Sequence, residues 1–219
     1  MAETIPIARS PITQAPPVTL ADGWEVSARH SSAPLRLIDC TPCRKFLIRA
    51  AMGTSVVHKL DVARGHASRD DSGGLVAGIG HEEWLLIGSP DLSLPTHLTA
   101  SLNGGDELIT IVDLTHARAL VRMVGTDSAK VISKLCAIDF SDRISPDKSA
   151  FRTSMAGLVV EVVRSDLANP FHDAADPDST LRSYLMLCER SAGQYLFNTL
   201  LDAGQEFGVD IEGFAISGL

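Results

Sequence analysis

The stretch Ser149-Ala150-Phe151-Arg152-Thr153-Ser154-Met155-Ala156-Gly157-Leu158-Val159-Val160-Glu161-Val162-Val163-Arg164 decides the fold class. Two β-rich runs, Ser149–Met155 and Leu158–Arg164, flank Ala156-Gly157, which reads as a two-residue hairpin turn with the glycine free to take positive φ. A hairpin of this kind does not belong in a doubly wound parallel sheet. Elsewhere, helical patterns do not alternate one-for-one with strands, so the chain is α+β.

Short apolar runs extend this pattern in both directions. Leu35–Asp39, Lys45–Ala50, Glu83–Gly88, Leu108–Leu114, Arg118–Val124 and Tyr184–Cys188 read as strands, and Ser68–Gly74 and Ser165–Thr180 as polar loops. Helices are expected over Leu92–Leu102, with apolar residues at 94, 98 and 102, and after Gly125-Thr126-Asp127, burying Ala129, Ile132, Leu135 and Cys136. A third helix should follow Ser191-Ala192-Gly193-Gln194, which has the form of a capping box, and present Tyr195, Leu196, Leu200, Leu201 and Phe207 to the core. Trp84-Leu85-Leu86-Ile87 is echoed one hundred residues later by Tyr184-Leu185-Met186-Leu187, and Thr99 and Gly104 by Thr199 and Gly204. A duplicated strand–helix unit would yield two interlocked ferredoxin-like halves, 34–107 and 108–219. Residues 1–33, with prolines at 6, 11, 16 and 17, read as an extended arm with a polyproline II stretch, either loose or laid along a partner.

Composition narrows the function. The chain has 219 residues, 45% hydrophobic and 21% charged, which is enough to bury a core. Its net charge is −8, and no window is dense in Lys or Arg, so a nucleic-acid partner is not expected. The first residues lack a basic region followed by an apolar run, and no apolar run approaches the ~18–20 residues of a membrane span, so a cytoplasmic protein is expected.

Nucleotide-binding glycine loops, G-x-S-x-G and H-E-x-x-H are absent from the sequence. Cys40-Thr41-Pro42-Cys43 is a C-x-x-C, but a strand follows it, not a helix, and it has no second ligand pair. Incidental thiols, a redox pair and a metal half-site all stay open. Asp113 and His116 stand three apart at a strand end, as an acid–base pair or as a structural turn. Arg152 and Arg164, at opposite positions of the hairpin, are either carboxylate ligands or solvated edge charges.

Several of these pieces combine. Asp113-Leu-Thr-His116-Ala-Arg118, Val124-Gly125-Thr-Asp127-Ser-Ala129 leading to Leu135-Cys136-Ala-Ile138-Asp139, Phe151-Arg152-Thr153 before Gly157, and Ala203-Gly204-Gln-Glu-Phe207-Gly208 together resemble the gamma subunit family of heterotetrameric sarcosine oxidase. Arg9-Ser10-Pro11-Ile12 resembles that family's N-terminal signature. The family is similar in turn to the folate-binding domains of the glycine cleavage aminomethyltransferase (T-protein) superfamily. In that superfamily an Arg at the end of the second hairpin strand leads to a Gly-Glu pair that helps hold the pterin. Here Arg164 is followed by Ser165-Asp166-Leu167-Ala168-Asn169-Pro170, with no Gly-Glu before the next strand.

The resemblance implies a folate-domain scaffold lacking the C-terminal barrel and the pterin apparatus. It would serve as a non-catalytic gamma subunit bracing the alpha subunit, with alpha, beta and delta subunits as partners. FAD, FMN, NAD and tetrahydrofolate would belong to those partners, which oxidise sarcosine to glycine and pass the one-carbon unit to tetrahydrofolate. No catalytic residue, cofactor or metal is expected in this chain. The alternative is a stand-alone folate-binding aminomethyltransferase-like protein, for which Asp113, Asp139 and Arg164 are the candidate residues, Asp113 or Asp139 acting as general base.

Overall fold

A computed structural model of the chain describes residues 6–96, 98–99, 107–168 and 180–214. It is α+β, dominated by two antiparallel-rich sheets stacked face to face. One sheet has six strands in the order β11-β12-β15-β10-β4-β16: β4 Leu35–Asp39, β10 Arg118–Val124, β11 Ala150–Met155, β12 Leu158–Arg164, β15 Ser183–Glu189 and β16 Val209–Glu212. The other has five strands in the order β6-β7-β8-β5-β9: β5 Arg44–Ala50, β6 Ala67–Arg69, β7 Leu75–Gly80, β8 Glu83–Gly88 and β9 Ile109–Asp113. Each large sheet takes one strand from the opposite part of the chain. β4 pairs with β10 and β16, and β9 pairs with β5.

The central strands are buried on both faces, and their sequences show why. In β10, Ala119, Val121 and Met123 point one way and Leu120, Arg122 and Val124 the other, because successive side chains of a strand alternate. The first set packs with Val160 and Val162 of β12 and with Tyr184 and Met186 of β15 beneath two helices, α2 Ser128–Ser133 and α3 Gly193–Gly204. Those helices contribute Ala129, Val131, Ile132, Leu196, Phe197 and Leu200. The second set faces the other sheet, where Leu120, Val163, Leu185 and Leu187 meet Leu75, Ala77, Ile79, Leu85 and Ile87. The far face of the five-stranded sheet carries Phe46, Ile48, Trp84 and Leu86 under α1, Ser55–Leu60, and under Leu98. Four layers result, helix, sheet, sheet and helix, each fully buried Leu, Ile or Val contributing about 1.5–3 kcal/mol of transfer free energy.

The two echoed segments occupy equivalent places. Trp84–Ile87 lies on β8 and Tyr184–Leu187 on β15, each an inner strand of its sheet. Trp84 and Tyr184 both face the outer helix layer. Of the expected helix Leu92–Leu102, residues 96, 98 and 99 are helical, and 97 and 100–102 lie outside the described residues, as does Gly104. Most of the expected loop Ser165–Thr180 lies outside them too, its ends forming the short pair β13 Leu167–Ala168 and β14 Thr180–Leu181. Ser68 and Arg69 of the expected loop Ser68–Gly74 join β6, and a turn follows them.

Four local expectations change. Residues 6–33, expected as an extended arm, form a three-stranded sheet, β1 Ala8–Arg9, β2 Val18–Ala21 and β3 Trp24–Ser27, against the chain itself. Ile12, Trp24 and Val26 are buried. Gln14 ties this segment down, donating to Asp39 Oδ2 at 2.7 Å and accepting from the Ser27 amide at 2.8 Å. The Pro16-Pro17 peptide is cis, in place of a polyproline II stretch. The capping box does not form, because a 3-10 turn over Arg190–Ala192 places Ser191 inside the helical path. Gln194 instead accepts from the Thr13 amide at 2.7 Å and donates to Asn198. Tyr195, expected in the core, is 53% exposed, with Phe197 buried in its stead.

The hairpin forms with Ala156 at φ 51° and Gly157 at φ 80°, the double positive φ of a type I′ turn, whose twist matches the flanking strands. At the entrance to α2, Gly125 has φ 141°, and a Cβ there would lie 2.2 Å from the Pro34 carbonyl oxygen. Gly125→Ala should therefore lose about 3 kcal/mol or more through combined strain and overpacking, read as a lower urea midpoint. A midpoint unchanged from wild type would show that this close approach carries no weight.

Candidate functional site

The three residues expected around a pterin are not brought to one place. Asp113 closes β9 on the five-stranded sheet. Its Oδ1 accepts from the Thr115 amide at 2.8 Å and its Oδ2 pairs with Arg44 at 3.3 Å. Partial burial would raise its proton affinity, but the hydrogen bonds from Thr115 and the charge of Arg44 overcome that and hold the carboxyl below its ordinary range. A carboxylate so engaged is a turn-forming residue, and His116, its expected acid–base partner, stacks instead on Trp24, with ring centroids 4.8 Å apart and planes 8° from parallel. Asp139 likewise closes a turn, accepting from the Ser141 amide at 2.8 Å. That bond holds its carboxyl below the usual range.

Arg164 ends β12 with a side chain only 6% exposed. Its Nε and one terminal nitrogen grip Asp166 at 3.0 and 2.7 Å, and the other terminal nitrogen donates to Asp142 Oδ1 at 2.6 Å and to the Ser145 carbonyl at 2.7 Å. Burial alone would weaken its hold on the proton, and the bonds to Asp166 and Asp142 more than reverse that. The guanidinium sits 5.8 Å from the Tyr184 ring centroid and is spent on its own chain. Arg182 also reaches Asp142, completing a cluster that locks the 139–147 loop to the strand ends.

The register also corrects the expected opposition of Arg152 and Arg164. Arg152 faces Glu161, and Ala150 faces Val163, so Arg164 lies beyond the reach of Arg152's position. Arg152 binds Glu161 at 2.9 Å and, across the gap between sheets, Glu83 at 3.1 Å. Both arginines do bind carboxylates, but those of this same chain.

The C-x-x-C lies in the tight turn joining β4 to β5, where the Cys43 amide donates to the Cys40 carbonyl at 3.0 Å. Both thiols are free and buried. The Cys43 thiol is pushed well above its ordinary pKa, first by its hydrogen bond with Cys40 and then by burial, although Lys45 and Arg122 pull it down. A thiol raised in this way is a poor nucleophile and a poor metal ligand. Among the described residues, no three His, Cys, Asp or Glu side chains stand close enough to hold a metal ion.

Two buried cations beside this turn escaped the sequence reading. Lys45 is fully buried, and its ammonium donates to the Thr41 and Cys43 carbonyls, each at 2.7 Å. Desolvation lowers its pKa from 10.5 to about 8, opposed by the nearby Cys43 and Asp39. Arg122 is 3% exposed between the sheets and donates to Ser183 Oγ at 2.7 Å. A legible signal existed for Arg122, a cation in the middle of the apolar run Ala119–Val124, but not for Lys45, whose strand also carries Arg44 and Arg49. A cleft of about 680 Å³ opens nearby, lined by Arg9, Arg44, Arg190, Trp24, Thr115 and His116 among others. It is walled by the N-terminal sheet and was not foreseen.

With this geometry in hand, likeness to solved structures is informative. One chain of heterotetrameric sarcosine oxidase from Corynebacterium sp. U-96, solved with pyrrole 2-carboxylate, superposes with a TM-score of 0.63 at 23% identity. The match covers 84% of this chain and 90% of that one. Glycine cleavage system aminomethyltransferase T from Bartonella henselae gives a TM-score of 0.64 at 13% identity, covering 91% of this chain but 56% of the other. The fold is common to all three. The residues suggested a sarcosine oxidase subunit and, beyond it, the glycine cleavage aminomethyltransferases, and the two likenesses of fold fall on those two proteins. No protein-family model matches the chain, and no curated protein matches it.

Two outcomes follow from the buried charges. The folded chain releases the Lys45 proton near pH 8 and the unfolded chain near 10.5, so below 8 both are protonated and the burial cost is present in full. Between those values the unfolded state binds more protons, and stability rises with pH, by on the order of 3 kcal/mol in total. Urea unfolding from pH 7 to 10.5 should show the wild type gaining on Lys45→Met across this window; parallel curves would refute a buried ammonium. Arg164→Ala, which strands the buried Asp166, should cost about 3–5 kcal/mol in the same measurement at pH 7. A loss under 1 kcal/mol would mean that the cluster behaves as a surface ion pair.

Proposed function

We propose that this chain is the gamma subunit of a heterotetrameric sarcosine oxidase, a non-catalytic element that braces the alpha subunit of a cytoplasmic complex with beta and delta subunits. The observation that carries the reading is reciprocal coverage: the match takes in 84% of this chain and 90% of a chain of heterotetrameric sarcosine oxidase. The aminomethyltransferase is matched over 56% of its length, so this chain spans little more than half of that protein. In this reading FAD, FMN, NAD and tetrahydrofolate are held by the partner subunits. The complex oxidises sarcosine to glycine and hands the one-carbon unit to tetrahydrofolate.

The chemistry of the residues supports a bracing role. Arg164, the residue that would have to meet a pterin, donates to Asp166, Asp142 and Ser145, and freeing it would strand a buried carboxylate. Asp113 and Asp139 hold turns on different parts of the fold. The residues present therefore do not fit tetrahydrofolate. The exchange of β4 and β9 between sheets supports treating 34–107 and 108–219 as two interlocked ferredoxin-like halves.

Co-expression of the tagged chain with the flavoprotein and small subunits of its host should yield a stable complex containing all four, and calorimetry of the isolated chain with tetrahydrofolate should show no micromolar binding. Purification as a chain that takes up no flavoprotein would overturn the reading. Micromolar tetrahydrofolate binding by the chain alone would favour a stand-alone aminomethyltransferase-like protein.

A further inference from the structure

The two large sheets have four edges, and three are closed. β6 and β11 are stitched to one another: the Ala67 amide donates to the Lys148 carbonyl at 2.7 Å, the Ala150 amide to the Gly65 carbonyl at 2.9 Å, and His66 bridges Ser149. β16 carries Asp210 and Glu212 and is flanked by residues 29–31, through Arg29 and Ser31 on Asp210 and the Ser31 amide on Glu212. Among the described residues, β9 has none of these devices. Its residues Ile109-Thr110-Ile111-Val112 are uncharged and mostly β-branched, Val112 is 42% exposed, and Leu108 just before it is 84% exposed. Unguarded edges of this composition are templates for another strand, which is why isolated proteins protect them with charge, proline or a covering segment.

The ladder shows which groups are free for such pairing. The Leu114 amide donates to the Lys45 carbonyl at 2.8 Å, and on the other side of β5 the Ala50 amide turns toward Glu82 of the β7–β8 turn. With Leu47 opposite Val112 and Arg49 opposite Thr110, residues 110, 112 and 114 bond inward to β5. Ile109, Ile111 and Asp113 therefore aim their N–H and C=O groups outward. Ile109 and Ile111 are half-buried on the α1 side, and Thr110 and Val112 are exposed on the opposite side. An added strand would extend the apolar layer on one face and cover Val112 on the other.

We infer that the outer edge of β9 receives an extended, β-branched segment of a different protein chain, with basic residues where that segment meets Glu107 and Asp113. Charge argues against a second copy. Antiparallel pairing of two β9 strands brings the Glu107 end of one against the Asp113 end of the other, and like charges facing each other across strands are unfavourable. Both charges are held in place: Glu107 accepts from the Ser55 amide and hydroxyl, each at 2.8 Å, and Asp113 from the Thr115 amide. Arg44 offsets Asp113 only in part, since both side chains of this 3.3 Å pair are exposed and solvent screens it. A Lys or Arg on the incoming segment satisfies both ends.

This inference rests on the proposed function for the existence of a partner, which there is a flavoprotein subunit. Thr110→Lys with Val112→Lys places the usual guard of an edge strand on exposed positions, and the double variant should fold with an unchanged urea midpoint. Assembly of the full-length double variant with the co-expressed subunits should be at least tenfold weaker than that of wild type. Hydrogen exchange at Ile109, Ile111 and Asp113 should be fast in the free chain and protected in the wild-type complex. Equal assembly by the variant, or a complex in which these amides stay unprotected, would overturn the inference while leaving the functional reading intact. A wild-type dimer dissociated by the variant would reassign the edge to a second copy and overturn it as well. Absence of any wild-type complex would bring down the functional reading, and the inference with it.

Discussion

The Cys40–Cys43 turn carries the chain from β4, in the six-stranded sheet, to β5, in the five-stranded one, and a buried ammonium group holds it from within. Lys45 donates to two of its carbonyls, Thr41 and Cys43. The same turn is anchored to β10, because the Cys40 amide reaches the Leu120 carbonyl and Thr41 Oγ1 accepts from the Leu120 amide. Buried carbonyls left without donors are costly, so the desolvation of one lysine is exchanged for satisfaction of the crossover. Face-to-face stacking of the sheets, and with it the buried Leu120, Leu185 and Leu187 layer, depends on this junction.

With the crossover in place, charge is used at the seams. Arg152 joins Glu161 of one sheet to Glu83 of the other, and Arg164 with Asp166 and Asp142 ties the strand end to the 139–147 loop. Residues of these types would suit an acid–base or pterin site if they converged on open space. They converge on one another, which ties the two sheets into one slab, and among the described residues β9 is the edge that no other segment covers.

Much of this was legible from short apolar and β-branched runs. Leu35–Asp39, Glu83–Gly88, Arg118–Val124 and Leu158–Arg164 were bounded at the residues where β4, β8, β10 and β12 begin and end, because turn residues bracket each run. The Ala156-Gly157 turn was legible for the same reason. Failures fell where a distant partner decides the outcome. The N-terminal segment shows no periodicity, and its folding rests on Gln14 meeting Asp39 and on Ile12 entering the core beneath α3. Gln194 looked like a capping residue until the Thr13 amide claimed it. None of the candidate residues Asp113, Asp139 and Arg164 could be judged from spacing, since each is defined by what its side chain meets.

The sequence by itself determined the α+β class, the inner strands, the tight hairpin and the kinship of fold, because these rest on short apolar runs, turn chemistry and motif. Only the tertiary structure decided that β4 and β9 exchange sheets, that Lys45 and Arg122 are buried, and that Arg164 is satisfied from within. The physical reason is the same in each case. Alternation along a strand says that a face is buried but not against what, and the state of a charged side chain depends on groups dozens of residues away that only packing brings within 3 Å.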